Sequence, residues 1–192
     1  MFEYVTHYYN AEPFRSLSAL SRNEALQVMK ELCDDTPFFE RFKEPQQYWD
    51  SRVEAETWLR DKFVDKGGTL KDRYPIYAVL GSSDWIENYS QSMGLEVNKL
   101  RIPLSILRES EVSFTFPDSM VSYWISRDKP EAYYQPGYHG QVFTLSEVRN
   151  LITTDIMDSI AAKHPEGTIP YVEAQIWNHA VVRSFYEQNQ TK

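Results

Sequence analysis

The spacing of apolar and polar residues divides the chain into stretches with a helical repeat and stretches that alternate residue by residue. Apolar side chains recur at helical spacing from Ser21 to about Asp34, and again from Pro45 to the Gly67-Gly68 pair. Such a repeat places apolar side chains on one face of a helix, so the pattern predicts two helices in this part of the chain. Pro45 suits the first turn of the second helix, and the glycine pair ends it.

Short segments that are apolar, alternating or rich in β-branched and aromatic residues predict strands. They comprise residues 2–8, 75–80, 95–104, 111–116, 141–144 and 170–177. The last segment alternates strictly, with Val172, Ala174 and Ile176 on one face and Tyr171, Glu173, Gln175 and Trp177 on the other. This pattern is typical of a half-buried strand, and residues 181–186 are predicted to pair with it across a turn.

Shorter helices are predicted between the strands. One begins near Asp84, a second is capped by Asp118, and a third begins at a capping box formed by Thr144 and Glu147. A further helical or irregular piece covers residues 155–163. Together the elements predict an α+β fold with a mixed, mostly antiparallel sheet and with helices concentrated in the N-terminal half. A length of 192 residues favours a single compact domain over residues 1–192.

The charge balance argues against an extended nucleic-acid partner. The chain has 20 basic and 28 acidic side chains, a formal net charge of −8, and its basic residues form no run. It lacks a stretch of about 18 apolar residues, so no membrane partner is expected. The first residues lack the pattern of a secretion signal, and the single Cys33 forms no internal disulfide, so the expected location is the cytoplasm. The oligomeric state stays open.

Glu173 is the first candidate for a catalytic residue, because it is a carboxylate in the middle of a strand and lies outside any run of charges. Gln175 and Trp177 share its face and are predicted to line a cleft for a small-molecule ligand. The alternative is that this face is exposed, or that Glu173 pairs with an arginine of a neighbouring strand. Asp118 fits a helix cap best.

Residues 129–140 form a predicted loop that is rich in aromatic side chains. Tyr133, Tyr134, Tyr138 and His139 suit stacking on a flat ligand, which would make the protein a non-catalytic binding module for a small ligand or a protein. The same side chains suit a lid over the hydrophobic core equally well. The sequence leaves both interpretations open.

Ser82 and Ser83 lie between a predicted strand and a predicted helix, which is where a small serine hydrolase holds its nucleophile. The segment lacks the G-x-S-x-G pattern, so helix capping is the better interpretation. The four histidines show no metal-ligand spacing, and no metal site is predicted.

Several segments together resemble a family of uncharacterised bacterial proteins. They are residues 4–7, 112–120 and 138–147 and the strand that carries Glu173. The resemblance covers nearly the whole length and implies no activity.

The chain is also similar, more distantly, to the ADP-ribosyltransferase-like fold, whose H-Y-E members carry a histidine on the first strand and a glutamate on a late strand. His7 and Glu173 match these positions, whereas the middle tyrosine has no unique counterpart. The resemblance implies an enzyme that uses NAD, either an ADP-ribosyltransferase or an NAD glycohydrolase. His7 would hold the nicotinamide ribose, and Glu173 would stabilise an oxocarbenium-like transition state. Both side chains must then face one pocket.

Overall fold

The protein is described by a computed structural model that covers residues 2–35, 37–132, 134–151 and 171–190. Five strands form one sheet in the order β3-β1-β2-β5-β4, and every neighbouring pair is antiparallel. The strands are β1 (Tyr4–Tyr9), β2 (Ile76–Leu80), β3 (Asn98–Pro103), β4 (Val112–Thr115) and β5 (Glu173–Ile176). The last strand in sequence thus lies between β2 and β4.

Six α-helices accompany the sheet within the described residues. They are α1 (Arg22–Asp35), α2 (Pro45–Asp65), α3 (Asp84–Ser92), α4 (Ser119–Asp128), α5 (Leu145–Leu151) and α6 (His179–Gln190). The longest two, α1 and α2, lie in the N-terminal half, as predicted. The arrangement confirms the α+β class and the single compact unit.

The predicted helix starts are confirmed by their hydrogen bonds. Ser21 and Glu24 bond reciprocally at the start of α1, and Thr144 and Glu147 do the same at the start of α5. These side chains satisfy backbone N–H groups that have no partner within the helix. Helix starts were therefore encoded locally.

One face of the sheet carries the main hydrophobic core. Val5, Ala78, Phe114, Ala174 and Ile176 are all buried on this face. Helices α5 and α6 add further apolar residues to the same cluster. The alternation predicted for the last strand is confirmed on this side.

Residues 181–186 were predicted as a strand, and this prediction is wrong. They belong to helix α6, in which Val182 is fully buried and Phe185 and Tyr186 pack against the core. The three positions follow the i, i+3, i+4 spacing of a helix face. Residues 141–144 contribute only an isolated bridge between Phe143 and Phe114 instead of a full strand.

The other face of the sheet is covered in large part by α2 and α4. Leu59 and Phe63 of α2 pack with Trp177, which has no exposed surface. A smaller cluster with Ala25 and Met29 joins α1 to this layer. Of the polar side chains of β5, Gln175 is therefore fully buried and Glu173 is half-buried. No helix in the described ranges is long and apolar enough to cross a membrane. The piece predicted at 155–163 lies outside the described residues.

Candidate active site

A cavity of about 720 Å³ lies between α2, α4 and the middle of the sheet. Four aromatic side chains from four separate segments line it: Tyr48, Tyr77, Trp124 and Tyr171. A concave site with aromatic walls and a few polar groups is the usual form of a small-molecule binding site. The tertiary fold therefore assembles a candidate site that no single segment contains.

Two carboxyl groups, those of Asp118 and Glu173, lie in this cavity. Glu173 extends from β5, and its Oε1 accepts a hydrogen bond of 3.1 Å from the backbone N–H of Ser119. Asp118 precedes Ser119, and its Oδ1 caps α4 by accepting a bond of 3.0 Å from the N–H of Val121. Both acids therefore converge on the first turn of α4.

The environment raises the pKa of both acids. Burial and, next, the negative charge of Asp118 raise the pKa of Glu173 from 4.5 to about 7, against the hydrogen bonds from Gln175 and Ser119, which lower it. Burial also raises the pKa of Asp118, although the N–H groups of Val121 and Met120 oppose the change. Two neighbouring carboxyl groups in a buried site resist ionising together. Near neutral pH a large fraction of the molecules therefore keeps a proton on Glu173.

A chain of hydrogen bonds under the cavity floor fixes the position of Glu173. Trp177 donates to Ser113 at 2.9 Å, and Ser113 donates to Oε1 of Gln175 at 2.9 Å. The amide nitrogen of Gln175 then donates to Thr115 at 2.9 Å and to Oε1 of Glu173 at 3.0 Å. Since Ser113 occupies the amide oxygen, the nitrogen must point at the carboxyl group.

Arg52 forms one side of the cavity and is itself held in place. Its Nη2 lies 3.1 Å from Oε1 of Glu56, which also accepts a bond of 2.8 Å from Tyr77. The guanidinium carbon lies 5.2 Å from the centre of the Tyr77 ring. Arg52 and Tyr77 are therefore rigid elements of the wall.

His7 does not share this cavity with Glu173, which corrects the pairing predicted from the sequence. Thr6 pairs with Val79, and Val79 pairs with Glu173, so the neighbouring His7 points to the opposite face of the sheet. Its Nδ1 lies 2.7 Å from the carbonyl oxygen of Tyr77, and its Nε2 accepts a bond of 3.0 Å from the N–H of Phe14. Both ring nitrogens are thus occupied by the backbone.

Gln175 and Trp177 lie behind the cavity wall. Both are fully buried and take part in the hydrogen-bond chain under Glu173. The predicted face of β5 is therefore divided: Tyr171 and Glu173 line the cavity, whereas the other two residues support it.

The described part of the aromatic loop packs against the protein itself. His139 is buried, its Nδ1 accepts a bond of 3.0 Å from the N–H of Gln135, and its ring stacks with Tyr134. Tyr138 contacts the ring of Phe116 edge-on. Tyr133 lies outside the described residues. None of the described loop residues lines the cavity of Glu173.

Ser83 caps α3, which confirms the capping interpretation. Its hydroxyl accepts a bond of 3.3 Å from the N–H of Ile86, and Ser82 is exposed beside it. In the described part of the chain, no group of three or more His, Cys, Asp or Glu side chains is arranged to hold a metal ion.

Several cavity residues were missed in the sequence. Asp118 was predicted only as a helix cap, and Arg52, Tyr77 and Trp124 were not predicted as site residues. A local signal existed for Asp118, because a Pro-Asp-Ser segment after a strand places an acid at a helix start. The others carry no local signal, since they resemble ordinary residues of a helix or strand.

No family model, curated protein or solved structure matches this chain. The function is therefore argued from the geometry of the cavity.

Proposed function

We propose that this protein is an enzyme that cleaves the glycosidic bond of a small sugar-containing molecule, with Asp118 and Glu173 as its acid–base pair. The proposal rests on one observation: the buried carboxyl group of Asp118 and the half-buried one of Glu173 line the same aromatic-walled cavity, and the pKa of Glu173 is about 7. Enzymes that cleave glycosides use two carboxyl groups on opposite sides of the scissile bond. A pKa near neutrality suits a general acid.

The reaction assigns a separate role to each member of the pair. The protonated carboxyl group donates its proton to the leaving-group atom as the bond to the anomeric carbon breaks, and the leaving group keeps the bonding electrons. The ionised carboxylate stabilises the positive charge on the sugar, and water then bonds to the anomeric carbon and returns a proton to the pair. The Oδ2 atom of Asp118 has no hydrogen-bond partner among the described residues.

The aromatic walls favour a substrate with a flat or ring-shaped group. Tyr77 is held by Arg52 and Glu56, so its ring presents a fixed surface. Nucleosides and aryl glycosides combine a sugar with such a ring. NAD also has an N-glycosidic bond, between nicotinamide and ribose, but its nicotinamide leaves as a neutral base and takes up no proton. With NAD, only the ionised carboxylate of the pair would act, by stabilising the positive charge on the ribose. The NAD glycohydrolase hypothesis thus keeps Glu173 as its catalytic residue and no longer uses His7.

Purified protein tests the proposal with nitrophenyl glycosides, nucleosides and NAD as separate substrates, with the release of the aglycone or base as the measurement. We expect turnover of at least one class. Glu173→Gln keeps the shape of the side chain but cannot exchange a proton, so we expect a loss of at least about a hundredfold in kcat. Asp118→Asn should cause a comparable loss.

Glu131→Gln is the matched control, because Glu131 is an exposed carboxylate outside the cavity. It should retain full turnover. Equal turnover by the wild type and Glu173→Gln would refute the proposal. Saturable binding without turnover in any arm would instead indicate a binding protein that uses the same cavity.

A further inference from the structure

A second, smaller cavity of about 270 Å³ has Arg52 in common with the first, whereas its other lining residues differ. Arg60 and Arg73 line it together with Arg52, and Trp49 and Tyr74 supply aromatic surface. Three arginines thus share one cavity in a protein whose net charge is −8. Such a local excess of positive charge on an acidic protein requires an explanation.

The charges of this cavity are balanced only in part, because one carboxylate, that of Glu56, lines it with the three arginines. Arg52 pairs with Glu56 at 3.1 Å, and the same oxygen of Glu56 also accepts a bond of 2.6 Å from Ser18. Arg60 donates to the backbone carbonyl oxygen of Arg73. In the described ranges, neither Arg60 nor Arg73 forms an ion pair with an acidic side chain. Two guanidinium groups therefore remain for an anion.

We propose that this cavity binds the phosphate group of a small phosphorylated molecule. Arginine presents several N–H donors in a planar fork, which matches the oxygens of a phosphate better than a single lysine does. The bond from Arg60 to the chain at Arg73 holds the two residues next to each other. An anion between them relieves the repulsion of the like charges, so the site gains stability when it is filled.

The size and walls of the cavity limit the occupant. A volume of about 270 Å³ accommodates a phosphate with one small ring but no polymer. The acidic surface of the rest of the protein opposes nucleic acid as well. Trp49 and Tyr74 supply apolar surface for a ring attached to the phosphate. This site does not depend on the function proposed for Asp118 and Glu173.

Phenyl phosphate and inorganic phosphate are suitable probes, measured by isothermal titration calorimetry at low ionic strength. We expect saturable binding of both at one site, with phenyl phosphate the tighter. Arg73→Gln should weaken binding of phenyl phosphate by about tenfold or more, because it removes one charged donor. Arg73 is exposed and uses only its backbone in the bond with Arg60, so this variant should fold normally.

The double variant Arg108→Gln/Arg149→Gln is the control, since it removes two exposed positive charges away from the cavity. It should change the affinity for phenyl phosphate by less than about twofold, the effect of net charge alone. Glu173→Gln should also leave the affinity unchanged, which separates this site from the first cavity. Equal affinity in the wild type and Arg73→Gln, or no saturable binding by the wild type, would overturn the proposal.

Discussion

Glu173 and Ser119 are joined by a hydrogen bond of 3.1 Å from the backbone N–H of Ser119 to the carboxylate of Glu173. This bond attaches the last strand of the sheet to the first residue of α4, directly after Asp118. The positive end of the helix dipole favours acids at this point. It does not compensate fully for burial, because the pKa of Glu173 is still raised to about 7. The pH dependence of stability and the titration of Glu173 follow from this balance between burial and the helix dipole.

Replacing Glu173 by Gln should stabilise the protein above neutral pH. Since the pKa of Glu173 is about 7 in the folded protein and 4.5 ordinarily, the folded state binds this proton more tightly than the unfolded state does. Its contribution therefore lowers the free energy of unfolding as pH rises from about 4.5 to about 7. We expect Glu173→Gln to raise that free energy by up to about 3 kcal/mol above pH 7, because the pKa of Glu173 rises from 4.5 to about 7 on folding.

Urea unfolding of both proteins across this pH range measures the difference directly. The difference between variant and wild type should grow from near zero at low pH and level off above about pH 7. For Glu131→Gln, the difference in free energy of unfolding from the wild type should not change with pH. A flat difference for Glu173→Gln as well would mean that the pKa of Glu173 is ordinary.

Asp118→Asn should lower the pKa of Glu173. Burial is the main cause of the raised pKa, and the charge of Asp118 is the next, so removing that charge moves the pKa towards 4.5 without restoring it fully. The carboxyl carbon of Glu173, followed by NMR during a pH titration, reports the change. Asp61→Asn, which changes an exposed carboxylate on α2, should leave the pKa of Glu173 as in the wild type. A rise in the pKa of Glu173 in Asp118→Asn would contradict the arrangement.

Gln175→Leu should destabilise the protein and raise the pKa of Glu173. The variant leaves Ser113, Thr115 and Glu173 without the amide that now bonds to each of them inside the protein. Unsatisfied buried groups cost about 1–3 kcal/mol each, so a total loss of about 3 kcal/mol is expected. Urea unfolding measures it, and Gln91→Leu on the exposed side of α3 serves as the control. A loss below about 0.5 kcal/mol would show that the hydrogen-bond chain contributes little.

His7→Ala should destabilise the fold and leave the cavity of Glu173 intact. Burial lowers the pKa of His7, and the neutral ring joins the carbonyl of Tyr77 to the N–H of Phe14. We expect a loss of about 2–3 kcal/mol, measured by urea unfolding at neutral pH. In the wild type, the contribution of His7 is complete above pH 6.5 and is lost as pH falls below it.

Ligand binding distinguishes a structural role for His7 from the role in a ligand site that the sequence predicted. A structural histidine predicts that any ligand of the large cavity binds His7→Ala as it binds the wild type, in conditions where both are folded. Asn10→Ala, an exposed change just after the same strand, is the control for stability. Loss of ligand affinity in folded His7→Ala would show that His7 takes part in ligand binding after all.

Gly140→Ala should cost more stability than Gly94→Ala, although both glycines have a similar backbone angle, with φ of +78° and +71°. A Cβ at position 140 would lie 2.5 Å from the Cβ of Ser126 on α4, whereas nothing lies within 4 Å of one at position 94. Both variants lose about 1 kcal/mol to the left-handed conformation. The clash should add about 1–3 kcal/mol at position 140, and Ser126→Gly should recover part of it. Equal losses for the two alanine variants would exclude the close approach.

The helices and their starts were well predicted, because their signals are local. The capping box at Ser21, the proline at 45 and the glycine pair after α2 each act within one or two turns of the chain. Helix α6 was mistaken for a strand, because a short apolar run fits both periods and only packing against the core separates them.

The candidate site was predicted only in part. Glu173 stands out in the sequence because a carboxylate in an alternating strand is unusual, and it does line the cavity. Its partner Asp118 was not predicted as a site residue, because its role as a helix cap already explained an acid at this position. The aromatic walls come from segments far apart in the chain, which no local pattern connects.

By itself, the sequence determined the α+β class, the alternation of the last strand and the acid at its centre, because these depend on neighbours within a few residues. Only the tertiary structure decided that β5 lies between β2 and β4 and that His7 faces away from Glu173. The reason is strand register: a shift of one residue reverses every side chain in a strand, and register is set by pairing across the sheet. The same pairing brings the acid of the last strand to the start of α4, where Asp118 already lies.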